Sequence, residues 1–202
     1  MFHFSLFPPH FSWLLYDGFN YNSDPADRLR NMYLGWGENF CESFGSDFSA
    51  VASSARFVGP PDGYKYDTLN LFEYDYFSGR EDYHYSDCPD ARALYNVNSI
   101  IVTGCQPWTL YDRSYYQGRS VCVYPGNRNE CYPGFYKSRY NLDGQGIARF
   151  VKSARKGCYS SYVISPDGIA KADSWFRSAD TTNGGFAAIG DSRVFGLHKA
   201  PR

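Results

Sequence analysis

Two stretches of this chain repeat one pattern 39 positions apart: Phe72-Glu-Tyr-Asp-Tyr-Phe77-Ser-Gly79-Arg80 and Tyr111-Asp-Arg-Ser-Tyr-Tyr116-Gln-Gly118-Arg119. In each, an aromatic residue is followed five places later by a second, and two places after that by glycine. Self-similarity of this kind constrains architecture strongly, because each copy is a unit that hides its apolar face against the next. A glycine at that point suits a hairpin folded over with positive φ. Phe72/Phe77 and Tyr111/Tyr116 are placed to meet across the fold, each ring pair adding ~0.5–1.5 kcal/mol beyond burial.

The composition agrees with short strands and turns. Aromatics make up 19% of the 202 residues, with 19 Tyr and 16 Phe, beside 19 Gly and 11 Pro. Tyr and Phe favour pleated surfaces, and Gly and Pro punctuate them. The net charge is −1 with both signs interspersed, which leaves no footprint for nucleic acid or an anionic membrane. The six cysteines (Cys41, Cys88, Cys105, Cys122, Cys131, Cys158) are widely spaced and include no C-x-x-C pair. That spacing, and the absence of an Asn-x-Ser/Thr sequon, point to free thiols in a reducing compartment. The start, Met1 to Leu15, is apolar but lacks a basic leader and is interrupted by Pro8-Pro9, unlike a signal peptide. A soluble, cytoplasmic protein is expected.

Three regions follow. Residues 1–64 read as an irregular extension, with one short helix from Asp24 to Tyr33 started by the Asp24 cap and Pro25. Residues 65–158 carry the β signals: Leu69 to Tyr76, Asn98 to Thr103, Trp108 to Tyr116, Ser120 to Tyr124, and Ile147 to Val151 as the closing strand. Residues 159–202 read as an irregular C-terminal extension, with a brief helix at Ala170 to Ser178.

At the two hairpins the sequence resembles the βγ-crystallin family, whose Greek-key motif contains this aromatic-x4-aromatic-x-Gly turn. Asn98-Ser99-Ile100 stands where the first motif's later serine belongs, and Trp108-Thr-Leu-Tyr111 opens the second. The resemblance covers about residues 66–158 and implies an all-β Greek-key sandwich of two motifs, flanked by the extensions. Its fold-defining residues are Phe72, Phe77, Gly79, Ser99, Trp108, Tyr111, Tyr116 and Gly118. Neither flank shows a further copy. The second motif is longer before its closing strand, and its serine position falls near Ala148 or Arg149.

Some family members bind Ca²⁺ through an Asn/Asp-Asn/Asp-x-x-Ser/Thr-Ser signature. Here the first slot runs Leu94, Tyr95, Asn96, Val97, Asn98, Ser99, and the second Gly144 to Arg149, with Asp143 beside it. Ca²⁺ takes several oxygen ligands, usually including carboxylates, so neither slot is expected to hold a metal. No cofactor is expected.

Other catalytic signals are weak. His3, His10, His84 and His198 lack metal-ligand spacing. His84 lies in Asp82-Tyr-His-Tyr-Ser-Asp87-Cys88, which reads as a crowded polar strand edge rather than a Cys/His nucleophile pair. Gly190-Asp-Ser192-Arg-Val194 lacks the last glycine of a nucleophile elbow, and Ser153-Ala-Arg-Lys156 lacks the companions of S-x-x-K. Arg149, Lys152, Arg155 and Lys156 form a small basic face. A non-enzymatic structural or interaction protein is therefore expected. Its rigid body would dock on other proteins through residues 1–64 and 159–202, in an intracellular assembly such as the cytoskeleton or a ciliary microtubule. Neither nucleic acid nor membrane is an expected partner. The alternatives are a calcium-binding module and a secreted inhibitor or toxin-like protein.

Overall fold

A computed structural model describes residues 11–24, 32–37, 52–59, 63–91, 94, 96–126, 129–138, 150–166, 187–190 and 193–196. Its strands are β1 (Phe11–Tyr16), β2 (Met32–Gly37), β3 (Ser54–Phe57), β4 (Thr68–Phe72), β5 (Glu81–His84), β6 (Ser99–Thr103), β7 (Trp108–Arg113), β8 (Gln117–Val123), β9 (Gly134–Tyr136), β10 (Ser153–Lys156), β11 (Val163–Ile164), β12 (Ala187–Gly190) and β13 (Arg193–Gly196). They form three sheets, in the orders β13-β12-β2-β1-β3, β5-β4-β6-β9 and β10-β7-β8-β11. Among the described residues no helix is long and apolar enough to cross a membrane.

The second and third sheets are built from the two hairpin repeats, and each completes the other. β9 leaves the chain between β8 and β10, yet pairs with β6 of the second sheet, setting Ile101 opposite Phe135. In return Cys88, between β5 and β6, bridges to Ala154 on β10, with Cys88 N–H on Ala154 O at 2.8 Å and Ala154 N–H on Cys88 O at 2.9 Å. Alternation along the strands then sorts the side chains by face. Leu69, Leu71, Ile100 and Val102 point one way, into a core shared with Trp108, Leu110, Val121, Val123 and Ala154 of the third sheet.

The second sheet is buried on its other face too: all five residues of β4 and all five of β6 are inaccessible. Phe72, Phe77 and Ile101 meet Leu14, Tyr16, Met32 and Leu34 of the first sheet in a second core. The body is thus a three-layer stack with the second sheet in the middle. Each large apolar side chain so buried contributes ~1.5–3 kcal/mol.

The stretch read as an irregular N-terminal extension therefore holds three strands, and Met32 and Tyr33, read as a helix end, lie in β2. The Asp24-Pro25 start signal is local, whereas Met32 and Leu34 alternate at the period of a strand and bury against Phe72 and Phe77. Residues 25–31 and 170–178 lie outside the described residues. The closing strand of the second repeat is β10, not Ile147 to Val151.

The thiol expectation is also corrected. Cys105 is joined to Cys131 and Cys122 to Cys158, while Cys88 is free. The folded strands bring together pairs that are 26 and 36 residues apart in sequence. Loops of that size are stabilised by about 3–4 kcal/mol per bridge on the chain-entropy account. Titration of the unfolded, unreduced protein should detect no more than two of the six thiols, and reduction should lower the melting temperature.

Candidate functional site

Three hairpins share one geometry. The rings of Phe72 and Phe77 meet edge to face at 5.6 Å, those of Tyr111 and Tyr116 at 5.8 Å, and those of Tyr16 and Tyr21, in the first sheet, at 5.8 Å. In each, a serine opening the closing strand pins the fold. Ser99 Oγ accepts from Phe77 N–H at 2.9 Å and donates to Tyr74 O at 2.6 Å. Ser153 Oγ accepts from Tyr116 N–H at 2.9 Å and donates to Arg113 O at 2.6 Å. Ser54 Oγ accepts from Tyr21 N–H at 3.1 Å and donates to Gly18 O at 2.8 Å.

The second aromatic of every pair is left-handed, with φ of 60° at Tyr21, 58° at Phe77 and 61° at Tyr116. Such φ values are costly for bulky side chains, and the serine bond and ring contact hold them. Gly79 and Gly118 follow with φ of 77° and 83°. A Cβ on Gly79 would lie 2.7 Å from the Tyr74 ring. The first hairpin ends instead at Ser23, with φ of −76°. Trp108 is fully buried between the second and third sheets.

A further hairpin unit of the same geometry thus precedes the two legible in sequence, correcting the reading that no further copy exists; in chain order the units pinned by Ser54, Ser99 and Ser153 are the first, second and third. The signals of the first, Tyr16-x4-Tyr21 and Ser54, lack the glycine. The serine of the last unit is Ser153, rather than a position near Ala148 or Arg149.

The first and second hairpins meet face to face through Arg56. Its Nε donates to Tyr16 Oη at 2.9 Å, one terminal nitrogen to Gly79 O at 2.9 Å, and the other to Phe77 O. The guanidinium stacks between Tyr21, at 4.6 Å, and Phe72, at 4.7 Å. Tyr16 Oη donates to Phe77 O at 2.6 Å, and Gly79 N–H donates to Tyr21 O at 3.0 Å. Glu81 approaches Arg56 at 3.9 Å. Burial pushes the Glu81 carboxyl up to about 7, with Arg56 opposing the rise and Asp82 adding to it. Burial also pushes the Tyr16 phenol upward, so it stays a neutral donor. None of Arg56, Tyr16 and Glu81 was singled out in the sequence.

Elsewhere the groups weighed for catalysis take part in contacts of the fold. Ser153 is the hairpin pin. Lys156 Nζ lies 3.8 Å from Asp67, and Arg155 Nε 3.3 Å from Asp87. Burial raises the Cys88 thiol, the opposite of an activated nucleophile, while His84 Nε2 lies 3.2 Å from Asp82. Gly190 and Arg193 face each other across the β12–β13 pair, and Ser192 lies outside the described residues. No group of three or more metal-ligating side chains occurs among the described residues. With the serines assigned, the six-residue slots end at Ser99 and Ser153 and open on Leu94-Tyr95 and Ala148-Arg149, so neither supplies the paired carboxylates.

Residues 68–140 match the Beta/Gamma crystallin family model. The chain carries a beta/gamma crystallin domain. Among solved structures, the chain is similar to the fifth crystall domain of the non-lens protein Absent in melanoma 1. Identity there is 19% over 45% of this chain and 86% of that one, with a TM-score of 0.37. Geodin, a beta-gamma crystallin from Geodia cydonium, is 19% identical over 72% of this chain and 77% of its own, with a TM-score of 0.43. No curated protein matches the chain.

Two outcomes follow for the three-layer body. The Glu81 value is raised on folding, so its contribution is fully present below the ordinary carboxyl range and is lost as pH rises through about 7. Glu81→Gln should flatten the fall in melting temperature between pH 5 and 8, a difference of up to about 3 kcal/mol at the alkaline end. Ser153→Ala leaves the Tyr116 N–H and Arg113 O without their partner and should cost ~1–3 kcal/mol in denaturant unfolding.

Proposed function

We propose that this chain is a non-enzymatic structural and interaction protein, a rigid beta/gamma crystallin body that docks on partner proteins in a larger assembly. The observation that carries the reading is the centre of the middle sheet, where β4 and β6 are inaccessible on both faces. Around it the polar groups that chemistry would use (Ser54, Ser99, Ser153, Arg56) are bound into the fold itself. Such a body resists deformation, and its contacts with other molecules fall to its outer surface.

Residues 11–57 spend Leu14, Tyr16, Met32 and Leu34 on the body's own core. That shifts the docking surface from the N-terminal segment as a whole to exposed rings. The hairpin tips carry Phe19, Tyr76 and Tyr115, and Tyr85 and Tyr162 stand out elsewhere. Exposed aromatics of this kind are typical anchors of protein interfaces. The two disulfides favour an oxidising setting over the reducing cytoplasm expected from cysteine spacing.

Cross-linking mass spectrometry on the native complex tests this. Cross-links to another protein should fall near the exposed rings, and Phe19→Ser with Tyr85→Ser and Tyr162→Ser should abolish them without lowering the melting temperature. A native chain that sediments free of any partner overturns the reading.

A further inference from the structure

We propose that the hairpin face of the third unit is a self-association surface, on which a second copy of this chain docks its own third unit. The precedent is internal. In the second unit Phe77, Ser78 and Gly79 are buried beneath the first unit, whereas the matching Tyr116 is half-buried and Gln117 and Gly118 are exposed. The first and second units use their hairpin faces on each other, so among the described residues the third unit's face is the one left open.

That face carries both halves of the contact already seen. Arg155 lies two residues after Ser153, as Arg56 lies two after Ser54, and Tyr111 stands where Tyr16 stands. These are the two donors of the first unit. Tyr116 and Gly118 stand where Phe77 and Gly79 stand, whose carbonyls accept. In the first two units the side-chain donors, Tyr16 and Arg56, lie on one partner and the carbonyls of Phe77 and Gly79 on the other, with Gly79 N–H returning a bond to Tyr21 O; in the third unit the counterparts of both sets sit together. A surface holding both sets is complementary to itself across a two-fold axis.

The environment of Arg155 fits the role. Its guanidinium lies 5.6 Å from the centroid of Tyr116 and 4.5 Å from that of Tyr159. Arg56 likewise lies over two rings, but one of them, Phe72, comes from the neighbouring unit. Tyr159 comes from the chain's own third unit and is 57% exposed, so its outer side is open to a partner. Asp87, 3.3 Å from Arg155, offsets the repulsion between two guanidinium groups near the axis. This association is separate from docking on other proteins and is read on the purified chain alone.

Sedimentation equilibrium of the oxidised full chain should show a monomer–dimer equilibrium. Gln117→Arg, which adds a cation at an exposed site beside the partner's Arg155, and Arg155→Ala should each weaken it by about tenfold or more. Tyr83→Ala, on another strand, should leave it unchanged. Circular dichroism and melting separate lost association from lost folding, and Gln117→Arg carries the test if Arg155→Ala unfolds. A chain monomeric up to about 1 mM overturns the proposal. So does a dimer that is indifferent to either substitution in a folded protein, or one weakened equally by Tyr83→Ala.

Discussion

Everything distinctive in this fold depends on one hydroxyl used twice. At Ser54, Ser99 and Ser153 the side chain accepts from the second aromatic residue of a hairpin and donates to a carbonyl at its start. The turn is thereby held flat on its sheet, the two rings are brought edge to face, and the left-handed backbone at the second ring is tolerated. The result is a broad face made of backbone carbonyls and ring edges. Without that pin the aromatic pair would have no reason to lie down, and the faces on which the first and second units meet would not exist.

Arg56 illustrates what such a face can do. A buried guanidinium is expensive unless all its donors are used and its planes are covered. Here the nitrogens reach one phenol and two carbonyls, and the planes lie between Tyr21 and Phe72. The carbonyls are free to accept because a folded hairpin does not use them in a ladder. Glu81 completes the surroundings but has lost much of its solvation, so its proton is held to near neutrality.

How far the sequence was legible follows from the range of each signal. The hairpins at Phe72 and Tyr111 could be read because ring spacing and the positive-φ glycine are local. The hairpin at Tyr16 could not, because Ser23 replaces the glycine and its pin, Ser54, is 33 residues beyond Tyr21. Ser153 was hidden by the long connection from β8, part of which leaves the unit altogether as β9. Cysteine pairing and the Arg56 contacts are products of tertiary geometry and leave no trace in spacing. For the same reason the first unit was read as an extension: no single strand in it carries a signal stronger than that of a short apolar run.

The exchange of β9 and the Cys88 bridge has a consequence for how the body comes apart. Neither the second nor the third sheet can lose its partner and keep its own edge, since each borrows a piece of chain from the other. The two units are interlocked rather than merely stacked, so partial opening exposes two raw edges at once and is disfavoured at every intermediate stage. Loss of structure there is a single cooperative event, and recovery must wait for contacts that span more than sixty residues, between Cys88 and Ala154. Slow assembly and abrupt failure are two aspects of one topology.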